Sequence, residues 1–300
     1  MPHTSHRKKK HVQNKRTEIL DDDGWTRISS STSSTSTGKH PATTSTPTGD
    51  ESPSAAGHHI PSASGSLPAR DPMPALPGSS LPSMLSRFHG IESRWQATDL
   101  CQTLVHVLEE EILTRDSAPM APVSTCVLLG SGSFCGDAAH WIDRHDSAYF
   151  QLAAFRTVVH TVERVSGQRV RTYAQEPNYN DMDAELLESL DITRVDHPRG
   201  FELLDEHAVA YSPAAEREVE AGIMARKPRV WLHRSLDYLL EEGGSGTRSA
   251  AVEFATSHDH RKLPGLDVKN FPFHGSVIWW RKREQDQYHG QDHPIEEIDT

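Results

Sequence analysis

Residues 122–137, PVSTCVLLGSGSFCGD, constrain the fold more than any other stretch of the chain. Val123, Cys126, Val127, Leu128 and Leu129 form an apolar run with little alternation, which predicts a strand covered on both faces. The run stops at Gly130, Ser131, Gly132 and Ser133, where glycine lets the backbone turn sharply and approach a ligand or helix closely. In a parallel α/β sheet the loop beyond a strand's C-terminal end is where ligands bind, so these four are candidate cofactor-binding residues. The glycines at 130, 132 and 136 miss the G-x-G-x-x-G spacing by one place, with Cys135 at the expected site. The next clear helix begins near Asp146 or Ser147, with a short helical turn expected over 137–143, whereas a phosphate cradle has its helix directly behind the loop. The stretch reads either as a cofactor loop or as a tight turn in a Rossmann-like core.

Strand and helix signals alternate around it. Ile91, Trp95, Leu100, Leu104, Val105, Leu108 and Ile112 predict an amphipathic helix before the first strand. A second helix is expected over 147–165, ended by Gly167, and a second strand over 170–174. Helices over 183–190, 201–205, 214–226 and 235–240 alternate with strands over 192–196, 208–211 and 229–232. Residues 277–280 form a last strand, expected at the sheet edge and antiparallel. This pattern predicts an α/β fold: a Rossmann-like, mostly parallel sheet with helices on both faces.

The flanks differ in composition. Residues 29–82 are dominated by Ser, Thr, Pro, Gly and Ala, too poor in apolar surface to offset the entropy of ordering. Residues 1–84 are therefore expected to be a long disordered N-terminal arm, 85–283 the domain, and 284–300 a polar tail. Within the domain, the Gly/Ser-rich residues 241–262 are expected to be a mobile insert. The arm begins with a basic cluster, His6 to His11 with Lys15 and Arg16, readable as a nuclear import signal or as a solvated tail. Asp21, Asp22, Asp23, Gly24 and Trp25 follow, readable as a short contact motif or as an exposed Trp without a role. A net charge of −11 argues against general nucleic-acid binding. No run reaches the roughly 18 apolar residues of a membrane span, and the N-terminus lacks the apolar core of a secretory signal. The cysteines Cys101, Cys126 and Cys135 make no C-x-x-C pair, which suits a reducing compartment.

Glu176 closes the second strand, where an acid holds ribose hydroxyls in dinucleotide- and S-adenosylmethionine-binding sheets; the alternative is a carboxylate capping the turn before Pro177. Asp181 or Asp183 is placed to cap the third helix. Asp196 and His197 read as an acid/base pair or as a His bonded to backbone. Ser133, Ser212 and His233 make a conceivable nucleophilic set, but no G-x-S-x-G elbow supports hydrolysis, and no catalytic residue is assigned. The 19 histidines lie largely in the tails and the insert, and no H-E-x-x-H or Cys/His spacing supports a metal.

In order, the landmarks are the Asp-Asp-Asp-Gly-Trp arm, the strand into Leu-Gly-Ser-Gly-Ser, and the helix beginning Ala148-Tyr149-Phe150-Gln151-Leu152-Ala153. Gln175-Glu176-Pro177, Asn180-Asp181-Met182-Asp183, Leu187-Glu188-Ser189-Leu190 and Val195-Asp196-His197-Pro198 follow. This series resembles the sensitivity-to-red-light-reduced (SRR-like) family in a filamentous-fungal form, over about residues 95–234 and the Trp279-Trp280 strand. The resemblance implies a Rossmann-like domain and a regulatory role, in red-light signalling and the circadian clock for plant members and in haem synthesis for yeast and animal members. It carries no established reaction and so no catalytic residues. The chain departs from the family in having Glu176 where an Asp before Pro is common, and in the long loop over 135–146. It also lacks any Cys-Pro dipeptide of the haem-regulatory kind.

Three functions remain in view. The first is a regulator of the cytoplasm and nucleus, acting through protein partners and gated by an adenosyl or nucleotide ligand at Gly130 to Ser133 and Glu176. The second is an S-adenosylmethionine-dependent methyltransferase-like enzyme, with a nucleotide-binding module that does no chemistry between the two. The third is a haem sensor.

Overall fold

The computed structural model describes residues 17–20, 26–29, 71–114, 122–138, 142–213, 215–242, 244–269, 273 and 275–282. The basic cluster, the Asp-Asp-Asp-Gly-Trp motif, residues 30–70 of the Ser/Thr/Pro tract and the polar tail lie outside them. The chain divides into two units, Met1–Ile60 and Pro61–Thr300. In the first, β1 (Thr17–Leu20) pairs antiparallel with β2 (Thr26–Ser29), Thr17 opposite Ser29. The sequence offered no signal for this ladder.

The second unit holds a seven-stranded sheet of order β5-β4-β3-β6-β7-β9-β8. Its strands are β3 (Thr125–Leu129), β4 (Arg171–Gln175), β5 (Thr193–Arg194), β6 (Ala208–Tyr211), β7 (Val230–Arg234), β8 (His258–Lys262) and β9 (Ser276–Arg281). The first five pair in parallel, and β9 runs antiparallel to both β7 and β8. Helices cover both faces, as the alternating pattern predicts. Strand β3 shows why its sequence does not alternate: Cys126 and Leu128 enter one core, Val127 and Leu129 the other. Against the first core pack α1 (Leu81–Gln96), α2 (Asp99–His106), α3 (His145–Ser166) and α4 (Asp181–Glu188). Against the second pack α5 (Arg199–Glu202), α6 (Arg217–Arg226), α7 (Asp237–Glu242) and α8 (Ser245–Ser257).

Four expectations give way. The helix over residues 91–114 is broken at Thr98, whose hydroxyl caps α2 by accepting from Cys101 N–H at 3.1 Å. It closes in a π-helical segment, Val107–Leu113. The described chain begins before residue 85: α1 starts at Leu81, and residues 73–76 are bonded to the rest of the unit. The insert over 241–262 carries α8 and β8 rather than loop. Of its apolar residues, Ala251 and Phe254 share one helix face and are fully buried while Val252 is 48% exposed, so a low average hydrophobicity hid a regular pattern. Finally, β9 is interior, not an edge. Ile278 enters the first core while Val277 and Trp279 enter the second, and the charged β8 takes the edge, where charge discourages further pairing. No helix among the described residues is long and apolar enough to cross a membrane.

Candidate ligand site at the end of strand β3

The chain leaves β3 toward β4 on one side and returns to β6 on the other, so the crevice above β3 and β6 is the topological switch point of the sheet. Gly130 (φ 74°) and Gly132 (φ 79°) both lie in the left-handed region that glycine adopts without strain. Between them they turn the loop back over the strand ends, and Gly130 N–H donates to Gln175 O at 3.1 Å. Glu176 ties the turn down. Its Oε2 accepts from Gly132 N–H at 3.1 Å, and its Oε1 accepts from Asn178 N–H and Nδ2 at 3.0 and 2.8 Å. Of the five residues expected at the ligand site, Gly132 and Glu176 are thus bonded to each other, and Glu176 also caps the turn that holds Pro177. Ser131 Oγ bonds the buried Tyr179 hydroxyl at 2.5 Å.

Ser133 goes elsewhere. Its hydroxyl donates to Asp183 Oδ2 at 2.6 Å, and Asp183 is the hub of the loop. Asp183 is fully buried and also accepts from Phe134 N–H at 2.9 Å, Asn180 N–H at 3.1 Å and the Cys135 thiol at 3.5 Å. Asn180 itself caps α4, accepting from Asp183 N–H at 3.1 Å, in place of the expected Asp181 or Asp183. Burial raises the Asp183 carboxyl above its ordinary range, opposed by those donors. Burial, then the Asp183 charge, pushes the Cys135 thiol up to about 12, so it is no thiolate at neutral pH.

A strap crosses this loop. Met73 N–H donates to Asn178 O (3.0 Å), Leu76 N–H to Cys135 O (2.7 Å), Asp137 N–H to Pro74 O (2.6 Å) and Asn180 Nδ2 to Met73 O (2.9 Å). Gly136 explains the late third glycine. A Cβ there would overlap Met73 Sδ and come within 2.9 Å of its Cγ, so the position serves the strap rather than a phosphate. Beneath strap and α1 lies a cavity of about 210 Å³, lined among others by Ser83, Arg87, Phe134, Cys135, His145 and Tyr149. Arg87 Nε and Nη2 donate to Asp146 Oδ1 at 3.1 and 2.6 Å, and its guanidinium stands 5.3 Å from the Tyr149 ring centre. His145 Nε2 bonds Gly136 O at 3.0 Å, which requires the proton on that nitrogen, and burial lowers its pKa.

The other expected groupings separate. Ser212 and His233 do meet, without Ser133, whose hydroxyl bonds Asp183 instead, but both are fully buried. His233 Nδ1 lies 2.6 Å from the Ser212 carbonyl and 3.5 Å from its hydroxyl. Its Nε2 lies 2.8 Å from Glu220, which also accepts from Arg234 and Tyr238. That set locks β6, β7 and α6 together and offers no open nucleophile. Asp196 is 88% exposed and turned to Arg194, while His197 stands edge-on to Phe201, so they make no acid/base pair. Among the described residues no three His, Cys, Asp or Glu side chains converge on a metal position.

The family model of the SRR1 domain matches residues 101–290. The chain belongs to the SRR1 domain family. A search of curated proteins finds no match. Among solved structures, the plantazolicin methyltransferase BpumL, in complex with SAH, aligns at 8% identity and a TM-score of 0.29, over 67% of this chain and 94% of that one. Aeropyrum pernix fibrillarin, with S-adenosyl-L-methionine, aligns at 12% and 0.30, over 60% and 74%. Alignments this loose carry no argument about the SRR1 chain's chemistry. Sequence reasoning missed the strap, the cavity and the hub. The only signals for them were the prolines of residues 72–77 and the three-residue spacing of Asn180 and Asp183.

Proposed function

We propose that this SRR1-family chain is a regulatory protein of the cytoplasm and nucleus that acts through protein partners, with a small ligand at the glycine loop setting its state. The observation that carries this reading is the internal satisfaction of the site. Gly132 N–H, the Glu176 carboxylate and the Ser133 hydroxyl are bonded within the loop, in a form that a ligand could exchange for its own groups. Light and clock signalling, and control of haem synthesis, are the roles the family resemblance brings to it.

A second reading, an S-adenosylmethionine-dependent enzyme or a silent nucleotide-binding module, is favoured by one feature: an acid at the end of β4 stands 3.1 Å from a glycine N–H at the switch point. Thermal unfolding of the full chain with S-adenosylmethionine, S-adenosylhomocysteine, NAD(H), NADP(H), ATP, GTP and haemin tests both. A ligand at a hundred times its Kd stabilises by about 2.7 kcal/mol, and Gly132→Val should erase that shift. Methyl transfer to any added acceptor, lost in Glu176→Ala with the fold intact, would replace the regulatory reading with the enzymatic one.

A further inference from the structure

We propose that the strap, residues 73–76, fills a peptide-binding groove in cis, and that a partner protein enters the same groove with an extended segment of its own. That segment carries two apolar side chains three residues apart, with a proline between them. This rests on the reading that the chain acts through protein partners, and it names where one docks and by what chemistry.

The groove holds main chain. Leu76 N–H donates to Cys135 O at 2.7 Å and Asp137 N–H to Pro74 O at 2.6 Å, which makes Ala75 and Gly136 an antiparallel β-bridge. Met73 N–H bonds Asn178 O, and Asn180 Nδ2 bonds Met73 O. Every strap group in these four bonds belongs to the backbone, so another extended segment can supply them, as peptides do when they add to a sheet edge. Side chains then select. Gly136 is not among the glycines at positive φ, so what it provides is room, and Met73 lies where its Cβ would be. Leu76, three residues on, lines the cavity of about 210 Å³ together with Met84, Phe134 and Tyr149, and space remains there for a longer apolar chain. Residue 74 gives the groove only its carbonyl, so a proline there forfeits nothing. Pro72, Pro74 and Pro77 also restrict themselves and the residues before them to extended conformations, which lowers the entropy lost on docking.

The strap is weakly anchored. Pro72, Pro74, Pro77 and Gly78 are exposed, and Met73, Ala75 and Leu76 are only half-buried. Helix α1, directly behind it, buries Met84, Phe88, Ile91 and Trp95. A segment with few buried apolar contacts opens at less than the global unfolding free energy, and α1 keeps its place meanwhile. Opening strips Cys135 O, Asp137 N–H, Asn178 O and the Asn180 amide of these partners, which favours a second strand taking them up.

The test is fluorescence anisotropy of a labelled peptide of residues 70–79 added to the full chain. Wild type should bind it weakly, because its tethered strap competes at high effective concentration. The full-length Met73→Gly/Leu76→Gly chain holds its own strap poorly and should bind the peptide about tenfold or more tightly. Adding Gly136→Val to that chain, or Leu76→Asp to the peptide, should abolish the gain, with thermal unfolding showing each chain folded. If the double variant does not fold, wild type decides. Its Leu76 amide should exchange hydrogen through a local opening, faster than the Leu128 amide of β3. Equal binding by wild type and double variant, indifference to Gly136→Val, or Leu76 exchange only in step with Leu128 overturns the proposal. A ligand shift at the glycine loop without peptide binding fails this proposal alone. Methyl transfer fails the regulatory reading and leaves the groove standing.

Discussion

Asp183 shows how much one side chain can organise. Its carboxylate gathers donors from Ser133, Phe134, Cys135 and Asn180, two segments about fifty residues apart. Asp183→Asn replaces one acceptor oxygen with a donor and should cost about 1–3 kcal/mol in urea unfolding. Because burial raises its folded pKa above the ordinary aspartate value of 3.8, the folded state holds this proton more tightly than the unfolded one. The stability that wild type has over Asp183→Asn should therefore fall as pH rises from about that value through the folded pKa, and grow on acidification. Urea titrations of both proteins across that window check the sign. Gly136→Ala should push Met73 aside, and faster hydrogen exchange at the Leu76 and Asp137 amides would report the loosened strap. The glycine turn and Glu176 were legible in the sequence because their partners lie at the ends of neighbouring strands. The hub and the Arg87–Asp146 pair were not, because nothing local marks two residues that meet only after the helices pack.

At the scale of elements, legibility followed burial. The strands of the first half and α3 declared themselves through continuous or periodic apolar runs. The break before α2 was present as a five-residue step from Trp95 to Leu100, too long for one helical turn. Helix α8 was overlooked because two apolar side chains suffice when both are wholly buried. Phe254 lies 5.2 Å from the Trp231 ring and 3.8 Å from the His258 ring, centre to centre. Phe254→Ala should cost about 3–5 kcal/mol, measured by denaturant unfolding. The same measurement on Thr98→Ala should show a smaller loss, about 1 kcal/mol, for the missing cap.

The whole molecule is larger than its family signature. The SRR1 match begins at residue 101, yet α1 precedes it and buries Phe88, Ile91 and Trp95 in the first core. Trp95 stacks on Phe273 at 5.2 Å and donates to Thr157 at 2.9 Å, binding both ends of the domain sequence together. A chain starting at residue 101 should therefore lose its near-ultraviolet circular dichroism and associate through the exposed face, whereas one starting at residue 71 should keep a single cooperative transition. The position of β9 sets a further constraint, one of timing. Strand β8 is translated before β9, yet among the described strands it pairs with β9 alone. On the ribosome β8 must wait, unpaired, for a strand that has to enter between it and β7. A message cut short before residue 276 would thus cost the sheet two strands, and a pause in translation there would leave the β7 edge open to other nascent chains.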